Sequence, residues 1–141
     1  MNENYTILHL HSMLSNGVTN IDSVTHYDQY IDHAAELGMK AIAFSEHGSI
    51  FQWVKKKLHT EEMGMKYIHA QEFYLTQTLD EKIRDNYHCL LIAKNYDGVL
   101  ELNKLSSKAF NRDDNSFYYV PRITIEDVKN TSDNIIVSTA C

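Results

Sequence analysis

Short apolar segments alternate with amphipathic segments along the chain, and this alternation constrains the fold more than any other feature. The apolar segments have the length and composition of strands and cover residues 5–10, 40–44, 65–70, 87–93 and 134–141. Between them, apolar residues recur at helical spacing in residues 25–37, 50–63 and 95–109, and a shorter helix is predicted at residues 124–128. The order of strand, helix and strand predicts an α/β fold with a mostly parallel sheet.

Two further details of this prediction concern a helix and a loop. In the helix over residues 50–63, the apolar side chains of Phe51, Val54 and Leu58 are predicted to face the core. Residues 110–122 are rich in Asn, Asp and Tyr, so they are predicted to form a loop.

A pair of histidines closes the first predicted strand. His9 and His11 are two residues apart, so on an extended backbone their side chains point to the same face, about 6.6 Å from each other. Two imidazoles placed side by side can bind one or two metal ions. Taken alone, the pair is equally compatible with two solvent-facing histidines.

Further metal-binding side chains fall at or near the other predicted strands. Glu46 and His47 follow the second strand, Glu72 follows the third, His88 lies in the fourth and Cys141 ends the last. In a parallel α/β sheet, the carboxyl ends of the strands meet at one edge, where the chemistry gathers. Imidazole, carboxylate and thiolate are all competent ligands for zinc and related ions. The pattern therefore predicts a metal site at this edge.

Other polar residues have simpler interpretations. Glu46 is also compatible with a carboxylate that favours the start of the following helix electrostatically. Cys89 points to the face opposite His88 and is predicted to be a core thiol. The remaining histidines have no placement at a strand end and are predicted to be structural or solvated; they include His26, His33, His59 and His69.

Composition excludes several classes of protein. The chain has 141 residues, of which 43% are hydrophobic, and this suffices for one domain over residues 1–141. A net charge of -6 argues against a chain that holds a nucleic-acid backbone by itself. There is no apolar run near 18 residues and no leader-like segment, which argues against a membrane protein. Two distant cysteines indicate reduced thiols and a cytoplasmic protein.

Four short motifs together resemble those of the polymerase and histidinol phosphatase (PHP) superfamily, in the same order and at similar spacing. They are His-Leu-His-Ser at residues 9–12, Ser-Glu-His-Gly at 45–48, Gln-Glu-Phe-Tyr at 71–74 and His-Cys-Leu-Leu-Ile-Ala-Lys-Asn at 88–95. The set is most similar to the N-terminal PHP domain of the bacterial or phage-type DNA polymerase III α subunit. The resemblance implies the N-terminal part of a distorted (β/α)7 barrel, with its metal site at the C-terminal ends of the strands.

The resemblance also implies two or three divalent metal ions, which are zinc, manganese or iron, with magnesium as a further option. It assigns His9 and His11 to the first ion, Glu72 to a bridging position, His88 to the second ion and His47 to the third, and Cys141 matches a position that is Cys or His in many relatives.

Two neighbouring residues receive roles by the same resemblance. Asp22 is predicted to be the ligand from the first loop, in preference to Asn16, because a neutral amide is a weak metal ligand. Glu46 stands where relatives often have Asp, and it is predicted to orient an imidazole.

The sequence also departs from the family pattern. It stops before the family's last motif, an Asp-x-His that completes the site, and it has none of the polymerase elements, such as the palm carboxylates. We therefore expect a truncated PHP domain that is inactive as a fragment. An incomplete barrel would leave a sheet edge exposed, which predicts self-association.

Three classes of function stay open at this point. The first is a metal-dependent phosphoesterase, of the proofreading exonuclease or pyrophosphatase type, within a replicative polymerase that acts on DNA together with other replisome subunits. The second is a catalytically silent PHP scaffold that stabilises the polymerase or docks an exonuclease. The third is a stand-alone phosphatase of the histidinol-phosphate type. The segment Gly-Met-Lys-Ala-Ile-Ala-Phe at residues 38–44 and the helix entry Leu-Leu-Ile-Ala-Lys-Asn at residues 90–95 favour the polymerase branch over the third class.

Overall fold

The computed structural model describes residues 5–17, 21–85 and 87–140 of the chain. The four α-helices of this part are α1 (Tyr27–Glu36), α2 (Trp53–Glu62), α3 (Tyr96–Ala109) and α4 (Ile125–Lys129), and a 3-10 turn covers Met13–Ser15. The six strands are β1 (Ala41–Phe44), β2 (Lys66–Thr76), β3 (Tyr87–Ala93), β4 (Phe117–Tyr118), β5 (Val120–Thr124) and β6 (Ile135–Thr139). Helices and strands share one fold, so the predicted α/β class is confirmed.

The strands form one mixed sheet. Its order is β4-β5-β2-β3-β6, and β1 also pairs with β2. The pairs β1–β2 and β2–β5 are parallel, whereas β2–β3, β3–β6 and β4–β5 are antiparallel. Antiparallel pairs are therefore more numerous than the sequence analysis expected, because β3 follows β2 through a short connection rather than through a crossover helix.

The long strand β2 organises the sheet. Along one edge it pairs first with β1 through residues 66–69, then with His47 through a bridge at Glu72, and finally with β5 through residues 74–76. Along the other edge, residues 70–75 pair with β3. Glu72 is therefore flanked by backbone on both sides, in the middle of the sheet.

The predicted first strand does not form a regular ladder. Among the described residues of this segment, Ile7 makes one parallel bridge, to Ile42. Further along, the Leu10 carbonyl accepts a bond of 3.0 Å from the Ser45 N–H, but the Leu10 N–H donates to the Ser45 side chain, also at 3.0 Å. Because a side chain takes the place of a backbone partner, residues 5–10 contain one bridge and a bend at His9 and do not form a full strand.

Helix α2 differs from its prediction in start and in orientation. It begins at Trp53 because Gln52 adopts a left-handed backbone conformation, with φ of 56°. The predicted inward residues are exposed instead, by 61% for Phe51, 48% for Val54 and 60% for Leu58. The buried face of the helix carries Lys56, a residue that hydrophobic periodicity alone assigns to the surface.

The predicted loop at residues 110–122 contains a hairpin. Strands β4 and β5 pair through Phe117↔Pro121 and Tyr118↔Val120, and Tyr119 makes the turn with φ of 63°. Arg122 is fully buried and donates to the carbonyl oxygens of Ser116, Asn115 and Ile83. A long-range anchor of this kind leaves no local pattern, which explains the missed strands.

The apolar core lies on both sides of the sheet. One cluster packs α3 against the sheet and includes Phe73, Leu91, Leu102 and Ile123. A second packs α1 against β1, around Ile31. Within the described residues, the longest helix has 14 residues, and none has both the length and the apolar character needed to cross a membrane.

Candidate metal centre

Glu72 lies at the centre of a cluster of histidines. It belongs to the second half of β2 and is 1% exposed. The described part of the chain holds two groups of potential ligand atoms that share this carboxylate, and within each group the atoms lie within 4.8 Å of one another. One group is His9, His11 and Glu72, and the other is His47, Glu72 and His88.

The first group gathers on one oxygen of the carboxylate. The Oε2 atom of Glu72 lies 2.5 Å from Nε2 of His9 and 2.9 Å from Nε2 of His11. The two imidazole nitrogens are themselves 3.0 Å apart. Both rings come from the segment between the bridge at Ile7 and the 3-10 turn at Met13–Ser15, which is not a regular strand.

The second group gathers on the other oxygen. The Oε1 atom of Glu72 lies 2.6 Å from Nδ1 of His88 and 3.5 Å from Nε2 of His47. His88 reaches it from the beginning of β3 because that strand is antiparallel to β2 and pairs His88 with Tyr74. His47 therefore shares an oxygen with His88, whereas the sequence analysis placed it at a separate third ion.

These donors suit divalent metal ions. Ligand atoms at about 2.0–2.1 Å from a tetrahedral zinc ion lie about 3.4 Å from each other, close to the 3.0 Å between the His9 and His11 nitrogens. Among the described residues, the buried Nε2 atom of His47 makes no contact with hydrogen-bond geometry, although Oε1 of Glu72 lies 3.5 Å from it. A buried polar atom without a partner is costly, and a cation between it and the carboxylate would satisfy it. The residues present therefore fit a metal centre.

The electrostatics of the cluster also favour a cation. Burial by itself would raise the pKa of the Glu72 carboxyl, but the four surrounding imidazoles hold it well below its ordinary value. Burial lowers the pKa of His47, yet the carboxylates of Glu72 and Asp22 outweigh this and raise it. The site thus keeps a carboxylate and draws positive charge toward it.

Asp22 contacts the cluster from behind His47. Its Oδ2 atom lies 2.9 Å from Nδ1 of His47, the ring nitrogen that faces away from Glu72. In this structure Asp22 orients an imidazole, and it belongs to neither group around Glu72. The amide of Asn16 bonds to backbone atoms of Asp22 and Ser23 and so holds the loop.

Glu46 is buried in a network of its own. Its carboxylate accepts hydrogen bonds from the hydroxyls of Ser12 and Ser15, from the Ser12 N–H and from the Lys56 ammonium at 2.6 Å. Burial would raise its pKa, but Lys56 and the two hydroxyls hold the pKa below its ordinary value. Among the contacts of the described residues, Glu46 reaches an imidazole only through Ser15, which lies 2.8 Å from Nδ1 of His11.

Comparison with known proteins matches this chain to the model of the PHP domain over residues 8–141. The chain belongs to the PHP domain family. Two similar relatives are DNA polymerase III subunits alpha, which agrees with the resemblance of the motifs. That of Aquifex aeolicus is 33% identical and that of Helicobacter pylori 32% identical, over 100% and 99% of this chain. The chain spans 12% and 11% of their respective lengths.

The fold of this PHP domain also resembles a solved structure. An amidohydrolase from Chromobacterium violaceum superposes with a TM-score of 0.50 and 16% identity, over 71% of this chain and 32% of that one. At this identity the likeness concerns the fold alone.

Of the two cysteines of the PHP domain, the structure describes only Cys89. Cys141, the predicted terminal ligand, lies outside the described residues. Cys89 is a buried free thiol in the core, as predicted, and burial raises its pKa to about 11.

Sequence reasoning missed three residues around the site, namely Ser15, Lys56 and Tyr74. The ring of Tyr74 stacks on His47 with centroids 5.9 Å apart and meets His88 edge-on at 4.9 Å. Strand periodicity could have found it, because Tyr74 follows Glu72 by two residues and so shares its face. For Lys56 and Ser15 no local pattern gives such a signal.

A separate cavity of about 510 Å³ lies beside the first half of β2. Its lining includes Trp53, Tyr67, Ile68 and Ile92, and none of the side chains around Glu72 contributes to it. The cavity is therefore distinct from the candidate metal centre.

Proposed function

We propose that this chain is the PHP domain of a replicative DNA polymerase III α subunit and that it is a metal-dependent phosphoesterase. The observation that carries the proposal is the contact geometry of Glu72, whose two carboxylate oxygens face separate pairs of imidazoles. A carboxylate in this arrangement can bridge two cations, one beside His9 and His11 and the other beside His47 and His88. Zinc, manganese and iron suit these ligands.

The proposed architecture is the N-terminal part of a distorted (β/α)7 barrel, formed by residues 1–141 as one domain. The family match over residues 8–141 supports it, as does the continuous pairing from β4 to β6. The site would lie where β1 and β2 approach their ends and where the antiparallel β3 begins.

The chemistry follows from the ligands. Divalent ions held by His9, His11, Glu72, His47 and His88 would supply an activated water and would bind a phosphoester for its attack. The residues of this chain hold and orient the site: Glu72 is shared by both halves, and Asp22 fixes the ring of His47 through its far nitrogen. The ring of Tyr74 packs against the rings of His47 and His88.

The proposed substrates are phosphoesters or pyrophosphate, including the 3′ end of a DNA strand. The names of the relatives, which are alpha subunits of DNA polymerase III, support DNA as the context. Other replisome subunits as partners and a cytoplasmic location belong to the same proposal. Because the chain carries a net charge of -6, the contacts that hold DNA would come from the rest of the polymerase.

The test is metal content together with hydrolysis. Purified protein is loaded with Zn²⁺ or Mn²⁺, desalted and measured by elemental analysis. We expect up to two ions per chain in the wild type and a loss of bound metal in Glu72→Gln. His33→Gln serves as the matched control, because His33 is an exposed residue of α1 outside the cluster.

Hydrolysis of p-nitrophenyl phosphate and of a 3′-labelled single strand then separates the classes of function. Metal-dependent turnover that is lost in Glu72→Gln supports the phosphoesterase. Bound metal without turnover, both in this chain and in a complete polymerase subunit that contains it, supports a silent scaffold instead, because turnover by this chain alone is not expected. Equal metal content in the wild type and in Glu72→Gln would contradict the proposed site.

A further inference from the structure

Ser15 joins the buried ion pair of Glu46 and Lys56 to the candidate metal centre. Its hydroxyl oxygen has three polar neighbours: Oε2 of Glu46 at 2.5 Å, Nδ1 of His11 at 2.8 Å and the backbone nitrogen of His47 at 3.1 Å. Ser15 is 3% exposed and Glu46 is 1% exposed. Because the site is buried, these three neighbours determine which hydrogen bonds the Ser15 hydroxyl donates and accepts.

The position of each proton follows from the capacity of these groups. A serine hydroxyl has one proton to donate and two lone pairs that accept. The carboxylate of Glu46 can only accept hydrogen bonds, so the serine hydroxyl donates its one hydrogen bond to it. The backbone N–H of His47 can only donate, so it donates to one lone pair of the hydroxyl oxygen. The second lone pair of Ser15 then requires a donor, which is Nδ1 of His11.

We propose that Ser15 is a positioning residue that keeps a proton on Nδ1 of His11 and so reserves Nε2 of that ring for a metal ion. Nε2 is the nitrogen that lies 2.9 Å from Glu72 and 3.0 Å from Nε2 of His9. A histidine side chain free in water prefers the opposite tautomer, and the Glu72 carboxylate 2.9 Å from Nε2 also favours a proton on that nitrogen, so the contact with Ser15 must impose the proton on Nδ1. Hydrogen bonds to the far nitrogen of a ligating histidine commonly fix its tautomer and its orientation.

Glu46 and Lys56 supply the reason why the hydroxyl cannot rotate away. Each oxygen of Glu46 accepts two hydrogen bonds, from the Lys56 ammonium and the Ser12 hydroxyl on Oε1, and from the Ser12 N–H and the Ser15 hydroxyl on Oε2. If the Ser15 proton turned elsewhere, a buried carboxylate would lose a charge-assisted bond. The contacts from Lys56 to Glu46, from Glu46 to Ser15 and from Ser15 to His11 thus fix the orientation of the Ser15 hydroxyl and, through it, the nitrogen of His11 that carries the proton.

The chain offers a matched control at Ser12. Its hydroxyl donates to the same carboxylate, also at 2.5 Å, and it is fully buried. Among the contacts of the described side chains, however, the Ser12 hydroxyl touches no imidazole. Ser12→Ala therefore removes a bond to Glu46, together with the bond from the Leu14 N–H that caps the 3-10 turn, without removing the acceptor of His11.

The first experiment measures the tautomer without metal. Long-range ¹H–¹⁵N correlation spectra of the metal-free protein, assigned with His11→Gln, report the protonation of each ring nitrogen. In the wild type we expect the neutral imidazole of His11 to carry its proton on Nδ1. In Ser15→Ala we expect the tautomer with the proton on Nε2 to appear, whereas Ser12→Ala keeps the wild-type state. An unprotonated Nδ1 in the wild type overturns the proposal without any variant.

The second experiment measures Zn²⁺ affinity by calorimetry with the same proteins. Affinity in Ser15→Ala should fall by about 10–100-fold, as it does for other outer-shell partners of metal ligands, and it should fall less in Ser12→Ala. Equal losses in both variants would mean that the role of Ser15 is structural only. The assignment to a metal rests on the proposed function, but the tautomer does not. If the wild type binds no zinc, the proposed function fails while the metal-free spectra still decide the proton position.

Discussion

At the scale of single residues, the buried ion pair of Lys56 and Glu46 affects the stability of the fold. Lys56 and Glu46 form an ion pair whose side chains are 2% and 1% exposed. Burying two charges is expensive, and this pair is compensated by the hydroxyls of Ser12 and Ser15. The pair therefore stabilises the fold only while both members are present.

Lys56→Met should lower the free energy of unfolding by about 3–5 kcal/mol, because it leaves the Glu46 carboxylate buried without its partner. Urea unfolding at pH 7 measures this. Lys57→Met is the control, since Lys57 pairs with Glu61 in an exposed position and should contribute at most about 1 kcal/mol. Adding Glu46→Gln to Lys56→Met should recover part of the loss. Similar effects of the two lysine substitutions would contradict the role of the buried pair.

His69 predicts a dependence of stability on pH. Burial lowers its pKa from 6.5 to about 4, against a hydrogen bond to Asn103 that partly offsets it. Between about pH 6.5 and pH 4, His69 therefore binds a proton in the unfolded chain but not in the folded protein. The free energy of unfolding decreases as pH falls through this range. The difference between the two pKa values corresponds to about 3 kcal/mol.

The measurement is urea unfolding of the wild type and of His69→Gln at pH 7 and near pH 4.5. The difference in stability between the two pH values should be smaller in His69→Gln. His33→Gln should keep the wild-type dependence, because His33 is largely exposed. An unchanged dependence in His69→Gln would show that His69 is not the group responsible.

At the scale of elements, β2 and β6 have contrasting positions. Strand β2 is paired along both edges, and this burial is what places Glu72 between two groups of histidines. Strand β6 is at the end of the sheet: within the described residues it pairs with β3 alone. Its Ile136 and Val137 are 48% and 44% exposed, and an apolar edge strand is a template for pairing with another chain.

Val137→Lys should therefore reduce self-association of the chain, because a lysine on an edge strand opposes pairing with a second strand. Sedimentation velocity over a range of protein concentrations measures the effect. Asn130→Lys adds the same charge after α4, away from this strand, and should behave as the wild type does. Equal self-association of the two variants would place the contact elsewhere.

At the scale of the whole molecule, the candidate ligands couple metal binding to folding. His9, His47, Glu72 and His88 come from four separate segments, so they cannot be gathered in an unfolded chain. A metal that binds only the folded state stabilises it by about 2.7 kcal/mol at one hundred times its dissociation constant. For a domain of this size the melting temperature should rise by several degrees.

Zn²⁺ or Mn²⁺ should produce this rise in the wild type and in His33→Ala, and most of it should vanish in His9→Ala and in Glu72→Ala. Differential scanning calorimetry with and without metal measures it. The rise should shrink as pH drops through the histidine range, because a protonated imidazole cannot bind a metal. The same rise in all variants would mean that the ions bind somewhere else.

The sequence by itself determined which side chains are available and in what order. The α/β class followed from apolar periodicity, and His9 and His11 were singled out because a strand places alternate side chains on one face. His47, Glu72 and His88 were singled out because they fall at or near other predicted strands, and the family resemblance added Asp22. These features are local, so a sequence records them directly.

The tertiary structure decided which of these side chains meet. The antiparallel direction of β3 brings His88 to Glu72, and the bridge between residue 47 and residue 72 groups His47 with His88. The buried side of α2 carries Lys56, because Glu46 lies there to pair with it, and Ser15 connects that pair to His11. Each of these contacts joins residues that are distant or unpatterned in sequence. Their energies depend on burial and on satisfied hydrogen bonds, and both exist only once the chain has folded.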